Sequence, residues 1–178
     1  MKRTHFFSLT IITFLFTILA TGCGSDDDNR SAHTFKATCE AKYPIRGYAG
    51  DKIISDTPTV YPLNDMLKDN DYITPIISGK LYPNKNTALE IVGLKPEMSI
   101  KEITIVINGL SRTYKNINSE NANLYTTELV DYMNRTFTNM IKQQQLRVLV
   151  SFTLDQNISE EDNVYIKIAY DGEFTYLK

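Results

Sequence analysis

The sequence predicts a mainly β domain, an antiparallel β-sandwich with one amphipathic α-helix at about residues 127–144 packed on the sheets. Three observations carry that expectation. Runs of β-branched and aromatic residues recur at strand length, separated by clusters of Gly, Pro, Asn and Asp. The dipeptide Asn108-Gly109 stands between two such runs, where it supplies the positive φ angles of a tight hairpin turn. Helical period appears in one long segment, where Leu129, Val130, Met133, Phe137, Met140 and Ile141 share a face and Asp131, Asn134, Arg135 and Lys142 lie elsewhere.

In chain order, Phe35, Ala37 and Cys39 alternate with Lys36, Thr38 and Glu40, the pattern of a first strand buried on one side. Residues 43–62 contain Pro44, Gly47, Gly50, Pro58 and Pro62, which argue for irregular chain with one short strand at about residues 59–61. A helical turn follows Pro62 at 63–67. Pro75 and Gly79 interrupt the apolar series Ile73, Ile76, Ile77 and Leu81, as an edge strand tolerates. Residues 87–94 are β-compatible and stop at Gly93 and Pro96.

The hairpin spans 102–114, and the helix then begins with Thr126 as its expected N-cap and Glu128 in its first turn. After a strand at 146–154, the order 164–170, Asp171-Gly172, 173–177 predicts a second hairpin. Each hairpin ends on Thr-Tyr and follows another strand candidate. The chain thus reads as two β meanders flanking a helix, with too little identity between them to argue for duplication.

The N-terminus carries an address. Lys2 and Arg3 precede an apolar run of 15 residues, 6–20, shorter than the roughly 20 needed to span a bilayer, and small residues lead into Cys23. Leu19-Ala20-Thr21-Gly22-Cys23 resembles the bacterial lipoprotein signal, with Ala20 where that family prefers leucine. The resemblance implies removal of residues 1–22 and a mature protein that begins at Cys23, carrying thioether-linked diacylglycerol and an amide-linked acyl chain. Each buried methylene contributes about 0.8 kcal/mol, so two or three chains anchor firmly where one does not.

The tract Ser25-Asp26-Asp27-Asp28 just after the cysteine resembles the acidic export signal of Bacteroidota-type lipoproteins, which implies transfer to the outer face of the outer membrane. A solvated linker on the periplasmic face is the alternative. The expected organisation is a signal peptide at 1–22, a lipidated acidic tether at 23–33, and a single β-rich domain at 34–178.

Composition narrows the chemistry. Loss of the signal removes Lys2 and Arg3 and takes the net charge from −2 to about −4, which leaves no basic field for nucleic acid. Cys39 becomes the one cysteine besides the acylated Cys23, so no internal disulfide is expected and Cys39 reads as a small buried hydrophobe. His33 is the single histidine left, and it falls in the tether. A Ser-His-Asp or Cys-His arrangement needs a fixed imidazole, and zinc needs more His or Cys than remain. No phosphate-cradling glycine loop occurs. Asp155, Glu160, Glu161, Asp162 and Asp171 are oxygen ligands in number, without the DxDxDG spacing of a calcium loop.

No catalytic residue, metal or cofactor is therefore expected, and the chain reads as a non-catalytic binding or accessory module for a glycan, a peptide or an envelope protein. The mature part keeps all 11 tyrosines and has no tryptophan. Tyr48, Tyr61, Tyr72 and Tyr82 sit in Pro/Gly-rich chain, where strand packing explains them least, and are the candidate binding residues. The alternative is a structural component of a surface appendage or uptake system working through strand edges. A small hydrolase, needing two close carboxylates in a cleft, comes last.

Overall fold

The computed structural model describes residues 30–67 and 75–178. Cys23, the export tract Ser25, Asp26, Asp27 and Asp28, and Tyr72 lie outside the described residues. The strands are β1 (Ala32–Pro44), β2 (Lys52–Ile54), β3 (Thr59–Pro62), β4 (Ile76–Leu81), β5 (Ala88–Val92), β6 (Ser99–Ile107), β7 (Leu110–Asn118), β8 (Gln145–Leu154) and β9 (Tyr165–Leu177). Helix α1 is the short turn Leu63–Met66, and α2 (Val130–Gln143) follows a 3-10 turn at Thr127–Leu129.

The strands form two antiparallel sheets, and no barrel closes. In the first, β9 is central: β1 pairs along its full length on one side, while β5 and β4 share the other side. In the second, β8 is flanked by β6 on one side and by β3 and β2 in succession on the other, and β7 forms the outer edge beyond β6. Strand alternation puts Ile166, Ile168, Tyr170 and Phe174 of β9 into one buried cluster with Ile103, Ile105, Val150 and Phe152 of the second sheet. That cluster is the sandwich core.

The helix packs mainly against β4 and also meets β8, so it closes one side of the sandwich. Two glycines make room for it. A Cβ at Gly79 would lie 2.6 Å from Ile141 Cδ1, and one at Gly172 would lie 2.7 Å from the Lys80 carbonyl oxygen and 3.3 Å from Phe137 Cζ. Phe137 then rests against Tyr170 and Phe174 with ring centroids 5.8 and 5.5 Å apart. Such aromatic pairs contribute about 0.5–1.5 kcal/mol beyond their area. The Tyr170 hydroxyl, fully buried, donates to Thr136 Oγ1 at 2.9 Å and ties the sheet to the helix.

The first hairpin forms as expected, with Asn108 at φ 46° and Gly109 at φ 83°. The second does not: Asp171-Gly172 lies inside β9, which runs unbroken for 13 residues. Its glycine answers the close approach of Lys80 and Phe137, and its aspartate accepts from Thr38 Oγ1 at 2.7 Å and Asn84 Nδ2 at 2.6 Å. The paired-meander pattern fails with it, because β5 joins β9 and β8 joins β6.

Two smaller differences concern ends. β1 begins at Ala32, two residues ahead of the expected domain boundary at 34, so His33 pairs with Tyr176 in the sheet. Thr126 precedes the helical segment but makes no side-chain cap; its carbonyl accepts from Leu129 N–H. The irregular 43–62 region holds a second short strand, β2, besides the expected one.

Candidate functional site

A hollow of about 440 Å³ opens beside the bridge between Gly47 and Ile158, over Arg46, Gly47, Tyr48, Asn157, Ile158 and Ser159. Two segments build it. Gly47 and Ile158 exchange backbone hydrogen bonds of 3.0 and 2.9 Å, and Gly50 N–H donates to the Leu154 carbonyl at 2.9 Å. Residues 48–51 form a tight turn closed by Asp51 N–H on the Tyr48 carbonyl, with Gly50 at φ 81° where an L side chain would be strained. The turn presents Tyr48 at 71% exposure, and no other large apolar or aromatic side chain among the described residues is so exposed.

The opposite wall is equally fixed. Asn157 Oδ1 accepts from Ala49 N–H at 2.9 Å, which leaves its amide nitrogen without a partner among the described residues. Ser159 donates both its N–H and its hydroxyl to Asp162 Oδ2 at 2.8 Å, and Lys95 Nζ lies 2.7 Å from the other oxygen. These donors hold the Asp162 carboxyl well below the usual range, at about 2, so it serves as a clamp on Ser159 and stays ionised. Arg46 pairs with Glu160 at 2.9 Å on an exposed surface, an interaction worth at most about 1 kcal/mol and easily exchanged for a ligand.

The other candidate tyrosines are not brought to this hollow. Tyr61, on β3 opposite Leu146, is half-buried and donates to the Lys42 carbonyl at 2.7 Å. Tyr82 lies on the outer face of the first sheet, its hydroxyl 3.3 Å from Glu173 Oε2 and its ring under Lys36 Nζ. Both hydroxyls are engaged by the fold, and desolvation, followed by the neighbouring carboxylates of Glu173 and Asp171, raises the Tyr82 pKa. The sequence missed Arg46, Asn157 and Ser159, because the bridge between Gly47 and Ile158 is non-local.

Elsewhere, Lys167 sits between Glu90 at 3.0 Å and Glu40 at 3.9 Å on the outer face of the first sheet. This places two carboxylates around a cation on a sheet face, not across a cleft. Cys39 is fully buried, and burial pushes its thiol up to about 12. A smaller hollow of about 300 Å³ on the second sheet is lined by Pro58, Val106, Arg147 and Leu149 beside the hairpin turn. No family model, curated protein or solved structure matches the chain.

Proposed function

We propose that the protein is a lipid-anchored cell-envelope module that recognises a glycan, without catalysis, at the Tyr48 hollow. The observation that carries this reading is the exposed Tyr48 ring, held by a tight turn beside an amide, a guanidinium and a hydroxyl. A sugar ring presents an apolar C–H face that stacks on a phenol and equatorial hydroxyls that need planar donors and acceptors nearby. Tyr, Ser, Asn and Gly together are also the composition of adaptable recognition surfaces, since Tyr supplies contact area at small entropic cost.

The anchor in this proposal is Cys23, with acyl chains in the outer membrane, and the Ser25 to Asp28 tract directs the domain outward. Metabolic labelling with palmitate should mark the wild type and leave Cys23→Ser unlabelled. Protease shaving of intact cells should degrade the wild-type domain and spare the variant with Asp26, Asp27 and Asp28 replaced by Ala.

Glycan-array binding followed by calorimetry tests the site. Tyr48→Ala should lose at least about tenfold in affinity while its melting temperature stays put, because exposed substitutions change stability by about 0.5 kcal/mol or less. Equal binding by Tyr48→Ala, or no glycan signal from the wild type, would falsify the reading. The assembly alternative is favoured by a different observation, the outer edges of β1 and β7, each of which pairs with a single strand among the described residues.

A further inference from the structure

The second sheet has one edge shared by two short strands and one edge formed by a single strand. Its β2/β3 side is interrupted between residues 54 and 59, whereas β7 runs from Leu110 with β6 as its sole strand partner. Because the hairpin turn has two residues, Ile107 and Leu110 exchange hydrogen bonds across it. Alternation then assigns Arg112 and Tyr114 to β6 and turns the N–H and C=O groups of Ser111 and Thr113 outward. The flat stretch ends at Asn116, whose φ of 52° breaks the strand geometry.

A cleft of about 300 Å³ lies between this edge and residues 121–129. The far wall is fixed to the first sheet, since Leu124 N–H donates to the Leu89 carbonyl and Ile91 N–H to the Ala122 carbonyl. Ile117, Leu124 and Leu129 give the cleft apolar lining, and Asn121, Asn123 and Thr126 give it hydrogen-bonding groups. The Tyr114 hydroxyl is buried and has no partner among the described residues. An orphaned buried hydroxyl is costly unless something enters to satisfy it.

Charge selects the occupant. Arg112 is exposed, stacked 5.5 Å over the Tyr132 ring, and pairs with no carboxylate among the described residues. Lys115, further along the edge, is already paired with Glu102 at 3.3 Å. Glu128 is the one acid on the lining and stands on the opposite wall, in the first turn of the helical segment, so it repels an acid there and leaves Arg112 as the acceptor of one.

We propose that the β7 edge and its cleft bind an extended peptide segment of a partner protein, which adds to the second sheet as a further strand and sets an acidic side chain on Arg112. Main-chain bonds to Ser111 and Thr113 supply affinity, and Arg112 with the cleft supplies selectivity. The inference goes beyond the Tyr48 reading and does not depend on it.

The test uses the domain as folded and a fluorescein-labelled peptide of about nine residues alternating Thr and Val with a central Glu. Fluorescence anisotropy should show saturable binding that Tyr48→Ala leaves intact. Arg112→Glu should weaken it about tenfold and recover it when the central Glu becomes Lys, the signature of a direct charge contact. Thr113→Pro removes an outward donor and leaves the backbone ladder to β6, with Thr113→Val as the control for loss of the 2.8 Å hydroxyl bond to Thr104; the proline variant should lose binding and the valine variant keep it, and N-methylation of the peptide should also abolish it. Hydrogen exchange should slow at the Ser111 and Thr113 amides. Absence of saturable binding, indifference to Arg112→Glu and Thr113→Pro together, or protection at β1 instead overturns the proposal.

Discussion

Single residues decide whether the helix can sit where it does. Gly79 is where α2 comes too close to β4 for a side chain, and Gly172 is where the Lys80 carbonyl of β4 leaves no room for one, with Phe137 of α2 close behind. Gly172→Ala should destabilise the domain by about 1–3 kcal/mol in chemical denaturation, as overpacking does. Gly109, with open space around its Cα, should lose stability through its φ of 83° alone. Cys39, buried and with its thiol raised to about 12, should resist a disulfide reagent at pH 8 until denaturant is added. Rapid native labelling would contradict its burial. At the Tyr48 hollow, the Asp162 clamp is present above its unfolded value of 3.8 and is lost as pH falls toward about 2, so ligand binding should fade across that window while remaining flat at neutral pH.

Elements show how two turn-prone dipeptides, Asn-Gly and Asp-Gly, read differently in two places. Asn108-Gly109 turns, and Asn108, itself buried, reinforces the turn by accepting from Arg147 N–H at 2.6 Å and donating to the Gln145 carbonyl at 3.0 Å. Asp171-Gly172 does not turn, because β1 and β4 pair on either side of it and Phe137 needs the missing Cβ. Local preference is a weak prior that tertiary pairing overrides. The helix was legible from its apolar stripe and ends within one residue of the expected position 144, whereas the way that end is capped was not legible. It ends on Gln144 in the left-handed region at φ 54°, held by side-chain bonds to both the N–H and the carbonyl of Ile76. Gln144→Ala should therefore cost about 1–3 kcal/mol in thermal or chemical unfolding, because the backbone N–H and carbonyl of Ile76 lose their side-chain partners. Tyr170→Phe should cost about 1 kcal/mol by leaving Thr136 without its buried donor.

At the scale of the whole molecule, the core contains acids whose charged forms it cannot solvate. Burial raises Cys39 from 9.0 to about 12 and Tyr114 from 10.0 to about 12, and it raises Tyr132 and Tyr170 as well. Above pH 9 the unfolded chain sheds these protons while the folded chain keeps them, so stability is full below pH 9 and falls as pH rises toward 12. Each fully buried group adds up to about 1.4 kcal/mol per pH unit to that loss. Equilibrium denaturation between pH 8 and 11 should show the decline, and a flat profile would deny the burial of these groups. Fold class, the position of the helix, the first hairpin and the burial of Cys39 could be read along the chain, because period, turn chemistry and composition are local properties. The central place of β9, the separation of Tyr48 from Tyr61 and Tyr82, and the company of Arg46 and Asn157 beside Tyr48 emerge with folding. Those depend on pairings between residues more than a hundred positions apart, and no local preference encodes which strand a given edge will meet.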